Sequence, residues 1–203
     1  MFTFLNIWDG FVNWDRSVFR VINSDWSNSF FDAVLPWFRQ AYVWAPLYLF
    51  VLIFIIINYR RNSFWWIIFF LVGVAAADLI GTYIFKHNIQ RPRPCLDPSL
   101  AEYIRMRIKC SYGYSFTSNH AANHFAMATY FFITLRKQLP RWAWIGFPWA
   151  FAVIYAQVYV GAHYPLDVIC GSLLGIISGS ITGYTFNKQF GFAIFGNQSI
   201  AAS

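Results

Sequence analysis

The chain is a series of long apolar runs separated by short polar stretches. Residues 41–59 carry no charge, and about 20 apolar residues at about 1.5 Å each suffice to cross a bilayer, so the pattern predicts a membrane-spanning helix there. Arg60 and Arg61 end it. Residues 64–85 predict a second span interrupted only by Asp78, and 119–135, 142–160 and 166–186 predict a third, fourth and fifth. The N-terminal part reads differently. Between residues 4 and 23, Phe, Leu, Ile, Trp and Val positions are interrupted by Asp9, Asp15, Arg16 and Arg20, and four charges make a crossing costly. Aromatic residues beside charges fit a helix lying in the membrane interface. Residues 29–38 are short and broken by Asp32 and Pro36, although 10–38 taken together can supply a tilted sixth crossing. The expected fold is an all-α polytopic transmembrane helix bundle of five to six spans with an N-terminal interfacial helix. It forms a single membrane domain over 1–190, with 1–40 as the interfacial or first-crossing segment, 41–188 as the transmembrane core and 191–203 as a loosely ordered tail.

Composition agrees with the pattern. Of 203 residues, 58% are hydrophobic, 22% aromatic and only 11% charged, which excludes an ordinary soluble domain. The net charge of +7 does not point to nucleic acid, because the 15 Lys and Arg fall in short clusters between apolar runs. Arg60 and Arg61, the stretch from Arg136 and Lys137 to Arg141, and Lys188 fall on one side of the predicted bundle, which the positive-inside rule assigns to the cytoplasm. The first residues lack the basic region and small-residue cleavage site of a signal peptide, so the spans themselves are expected to direct insertion. The long loop 87–118 holds Cys95 and Cys110, which are either disulfide-bonded or two free thiols, while Cys170 sits mid-span as a packing residue.

Three polar islands stand at span edges: Lys86 to Pro94 (KHNIQRPRP), Thr117 to His120 (TSNH) and Gly161 to Asp167 (GAHYPLD). Successive antiparallel crossings put them at one level, on the face opposite the cytoplasmic loops. Pro165 lets the chain turn into the fifth span and places Asp167 in its first turn, within reach of His163. A carboxylate on one ring nitrogen fixes the tautomer and leaves the other free as a nucleophile. Lys86 and Arg93 offer positive charge to phosphate oxygens. Ser118 and Asn119 open the third span, whose first N–H groups suit an anion. His120 is placed to protonate a leaving oxygen. The islands together make a phosphate-handling site.

Lys86-x6-Arg93-Pro94, Ser118-x-His120 and His163-x3-Asp167, in this order on span edges, resemble the type 2 phosphatidic acid phosphatase (PAP2) superfamily of membrane lipid phosphatases. The resemblance covers residues 64 to 188. It implies that His163 attacks phosphorus to form a phospho-histidine, Asp167 orients it, His120 protonates the departing lipid oxygen, and Lys86, Arg93 and Ser118 hold the phosphoryl oxygens. It calls for no cofactor and no metal. The implied partner is a membrane lipid phosphate: undecaprenyl diphosphate first, then phosphatidylglycerol phosphate, phosphatidic acid or lipid A. An enzyme of this kind belongs in a bacterial inner membrane with its site facing the periplasm or outside. Binding or transport of the same lipids without hydrolysis is the competing reading.

Two departures from the family pattern stand out. Thr117 and Asn119 replace the proline and glycine of Pro-Ser-Gly-His, and Ala156-Gln157 stand where the third motif usually carries Ser-Arg. Gln157 can donate a hydrogen bond to phosphate but brings no charge, so Arg91, Arg105 or Arg107 is expected to compensate. Other residues have plainer readings. His120 and His124 form an H-x3-H pair without a third ligand, so His124 is read as a packing residue. Asp78 is expected to make a hydrogen bond inside the bundle, and Trp142, Trp144 and Trp149 to form an interface belt.

Overall fold

The structure, a computed structural model, describes residues 2–192. Of the tail expected at 191–203, all but Gly191 and Phe192 lies outside the described residues. Seven helices order the described residues: α1 Phe2–Arg20, α2 Ser29–Phe38, α3 Ala45–Tyr59, α4 Arg61–Leu79, α5 Asn119–Leu135, α6 Gly146–Tyr159 and α7 Pro165–Gln189. Helix α4 runs on through a wider π-helical stretch, Ile80–Lys86, and a last turn, His87–Ile89. No strand occurs among the described residues.

The protein is an all-α integral membrane protein. Helix α3 with its preceding turn (Ala41–Tyr59), the helical run that starts at Arg61, and α7 are each long and apolar enough to cross a bilayer. Phe50 and Ile57 on α3 are 65% and 69% exposed, an apolar face suited to a lipid surround. Helices α5 and α6, with 17 and 14 residues, are shorter, and α5 is the most enclosed part of the bundle. Residues 10–38 do not form one continuous helix. After α1 and a π-helical turn at Val21–Asp25 the chain bends, and the side chain of Asn28 caps α2 by accepting the Phe31 N–H at 2.9 Å.

Helix α7 lies closest to α5. Gly171, Gly175, Gly179 and Gly183 recur every four residues, forming one stripe along α7 that faces α5. A methyl group at Gly171 or Gly179 would stand 2.5 Å from the carbonyl oxygen of Ser118 or Ala126, and one at Gly175 would press on that of Ala122. Small residues permit this backbone approach, which supplies van der Waals contact where lipid offers no hydrophobic drive between helices. Polar ties add to it: Ser178 Oγ donates to the Gly73 carbonyl at 2.6 Å, and Tyr130 Oη to that of Trp66 at 2.9 Å. Asp78 accepts from the Asn119 and Asn123 side chains at 2.9 and 3.0 Å, which satisfies a charge inside α4.

The loop 87–118 is built rather than loose. Pro94 and Pro98 open two short 3₁₀ turns, Cys95 and Cys110 are disulfide-bonded across 15 residues, and Leu100 is buried against Phe19, Val158 and Tyr164. Arg16 on α1 pairs with Asp97 at 2.9 Å, so the N-terminal helix is tied across the island end of the bundle.

Candidate active site

Tyr164 has extended backbone and Pro165 starts α7, so Asp167 falls at the third helical position. There its Oδ2 accepts the Tyr164 N–H at 2.9 Å, which fixes the carboxylate beside His163. The imidazole Nδ1 lies 3.6 Å from Asp167 Oδ2 and 3.4 Å from Ser115 Oγ, and the Ser115 hydroxyl also donates to that carboxylate oxygen. Nε2, on the far side of the ring, faces Arg93 Nη1 at 3.5 Å. Arg93 is held there by the Ala162 carbonyl, which it reaches at 3.0 Å.

Behind Asp167 stands a second layer. Arg91 donates to Asp167 Oδ1 at 2.8 Å and to Asp15 Oδ2 at 2.5 Å, and its guanidinium lies 3.9 Å over the Tyr164 ring. Asp15 in turn accepts the Leu166 N–H at 2.8 Å, one of the unpaired donors at the start of α7. The second island joins the third through the backbone, where the Ser118 N–H donates to the Asp167 carbonyl at 3.0 Å. Ser118 also caps α5, so the starts of α5 and α7 are set against each other. Lys86 closes the group from α4, its Nζ donating to the Tyr114 carbonyl at 3.3 Å.

The islands thus come together. His163 is acted on by Asp167, Arg93 and Lys86, and His120 by the charges of Arg39, His163 and Lys86. Burial holds the His163 imidazole below the ordinary histidine range; Arg93 and Lys86 add to that, and Asp167 opposes it. The ring is therefore neutral at pH 7, with a free electron pair.

Three residues expected to hold phosphate have protein partners: the Arg91 guanidinium meets two carboxylates, the Asn119 amide donates to Asp78 and Thr82, and Gln157, fully buried, accepts at Oε1 from Arg39 Nε at 3.2 Å while its Nε2 has no partner. Arg105 and Arg107 are likewise engaged, by Ser27 and by Asp32. Asp15, Ser115 and Arg39 were not legible as site residues. Asp15 had only one signal, a charge in an apolar helix, and it acts on residues 76 or more positions away. His124 packs on Trp149, with ring centroids 4.8 Å apart.

Residues 66–190 match the sequence profile of the PAP2 superfamily. The chain belongs to the PAP2 superfamily. Among PAP2 relatives it is 27% identical to a lipid A 4'-phosphatase of Bacteroides thetaiotaomicron over 78% of this chain and 71% of that protein. It is 32% identical to an undecaprenyl-diphosphatase of Sulfolobus acidocaldarius over 68% of this chain, spanning 61% of that relative's length. The crystal structure of a PAP2-type phosphatidylglycerolphosphate phosphatase from Bacillus subtilis shares the fold, with a TM-score of 0.69 at 19% identity over 89% of this chain and 88% of that one. The PAP2 match contains all three islands but begins after α1, α2 and α3, so Asp15 and Arg39 lie outside it.

Proposed function

We propose that this PAP2 protein hydrolyses a phosphate or diphosphate from a membrane lipid without a metal, through a phospho-histidine. The observation that carries this is the orientation of His163: one ring nitrogen turned to Asp167 and Ser115, the other to Arg93. In the first step Nε2 forms a bond to phosphorus while the bond from phosphorus to the lipid oxygen breaks, and His120 gives that oxygen its proton. In the second, His120 takes a proton from water as the water oxygen attacks phosphorus, and the bond to Nε2 breaks to release phosphate and the free imidazole. Asp167 stabilises the positive charge that His163 acquires on attack. Lys86, Arg93 and the first N–H groups of α5 hold the phosphoryl oxygens, whose charge grows in the transition state.

The substrate we favour is undecaprenyl diphosphate, with lipid A phosphate next. Relatives named for each cover most of the chain, and the aromatic and aliphatic surface below the site suits a long apolar tail. The Cys95–Cys110 disulfide supports a site on the periplasmic or outer face of a bacterial inner membrane, since such bonds persist in oxidising compartments. Purified protein in detergent with EDTA is expected to release inorganic phosphate from these lipids, and a His163→Ala variant to release none. Turnover that survives this substitution would remove His163 as nucleophile. Tight lipid binding with no phosphate released by the wild type would instead identify a lipid-phosphate binding or transport protein, and a strict need for Mg²⁺ would overturn the metal-free chemistry.

A further inference from the structure

Gln157 stands where the third PAP2 motif usually carries an arginine, and none of Arg91, Arg105 or Arg107 is free to replace that charge. Another arginine reaches the place. Arg39 follows α2, and α2 is pressed onto the segment before the nucleophile by Leu35, which packs with Ala156, Tyr159, Val160 and Ala162. From there Arg39 Nε donates to Gln157 Oε1 at 3.2 Å. The backbone carbonyl of Gln157 accepts the N–H groups of Ala162 and His163 at 3.0 and 3.4 Å, so one residue holds both the nucleophile's loop and Arg39.

We propose that Arg39 is a substrate phosphate-binding residue of this site, a cation supplied by the N-terminal segment in place of the third-motif arginine. The proposal rests on the lipid phosphatase reading above. Among the described residues Arg39 has no carboxylate within 4.0 Å, a condition it shares with Lys86 and Arg93 and not with Arg91 or Arg107. A half-buried guanidinium hydrogen-bonded to a neutral amide remains uncompensated until an anion arrives. Its charge is also the foremost of those acting on His120, and the charge of Arg93 acts on Arg39 in turn, so Arg39 lies near both. A neutral residue at 157 is what this arrangement needs. An arginine there would repel Arg39, whereas the glutamine offers it an acceptor. Gln157 Nε2 is itself buried without a partner, and an oxygen of a phosphate held by Arg39 would satisfy it.

The test compares the wild type with Arg39→Ala, Arg39→Lys and the double variant Arg39→Ala, Gln157→Arg. Binding of inorganic phosphate is measured by calorimetry, and kcat and KM are measured on undecaprenyl diphosphate. Losing one charge-assisted contact should weaken phosphate binding and kcat/KM by about 10- to 100-fold in Arg39→Ala. Arg39→Lys should recover part of this, and the double variant should recover at least about tenfold, because the charge returns from the other side. Binding and kcat/KM for Arg39→Ala within about twofold of the wild type would overturn the proposal. So would a loss that the double variant does not recover, which would make Arg39 a packing residue. If the wild type binds phosphate through Arg39 yet hydrolyses no lipid, the phosphatase reading fails and Arg39 stands. If it hydrolyses lipid and Arg39→Ala is unaffected, only Arg39 fails.

Discussion

At the scale of single residues, the site is a chain of paired charges that ends on one ring nitrogen. Asp167 holds His163 and is itself held by Ser115, Arg91 and the Tyr164 N–H. Asp167→Asn should lower kcat about 10²- to 10⁴-fold with little change in KM, because the amide can present a donor to Nδ1 and select the wrong tautomer. A steady-state comparison checks this, and an unchanged kcat would remove Asp167 from the mechanism. Titration gives a second expectation. Folding lowers the His163 pKa, so the unfolded chain takes up that proton first, and stability falls as pH drops below about 6.5. With His163 as the proposed nucleophile, the neutral ring persists below that pH, so the acid limb of kcat/KM should lie under about 6.5. An acid limb at or above the ordinary histidine value would contradict the burial of His163. The His163-x3-Asp167 spacing was readable because both residues sit in one local turn. Ser115 and Asp15 were not, since their partners are brought from 48 to 151 positions away.

At the scale of elements, helix starts matter more than helix lengths. The pattern of apolar residues located α5 at its observed limits, because Ser118 is both a cap and the edge of an island. It also placed α7 to within a few residues through Pro165. The close seam between the two helices was not read from the sequence, since glycines at every fourth position become informative only when the opposing backbone is known. Gly175→Val should therefore push α7 from α5 at a cost of about 1–3 kcal/mol, and should separate Ser118 and His120 from Asp167. Thermal unfolding in detergent and phosphate release are expected to fall together, and a variant with wild-type melting and activity would contradict the packing described. The segment 10–38 was legible as helical and amphipathic but not as two helices, because the Asn28 cap is a short signal among many polar residues.

At the scale of the whole molecule, lipid covers the outer faces of α3, α4 and α7, and the N-terminal segment covers the site end. The Cys95–Cys110 bond closes a loop that carries Arg105 and Arg107 and starts two residues after Arg93. Replacing Cys95 by Ser should lower stability by about 3 kcal/mol on the chain-entropy estimate for such a loop, and dithiothreitol should do the same to the wild type. Equal melting temperatures for oxidised, reduced and Cys95→Ser protein would show that the bond contributes nothing to the fold. The sequence by itself determined that the chain enters a membrane as helices and that its three polar islands stand at span ends. Apolar run length and the position of polar residues at span ends are local properties, written in consecutive residues. Only the tertiary structure decided which charges are free. Whether an arginine meets a carboxylate, as Arg91 meets Asp15 and Asp167, or only a neutral amide, as Arg39 meets Gln157, depends on which distant helices the bundle brings together.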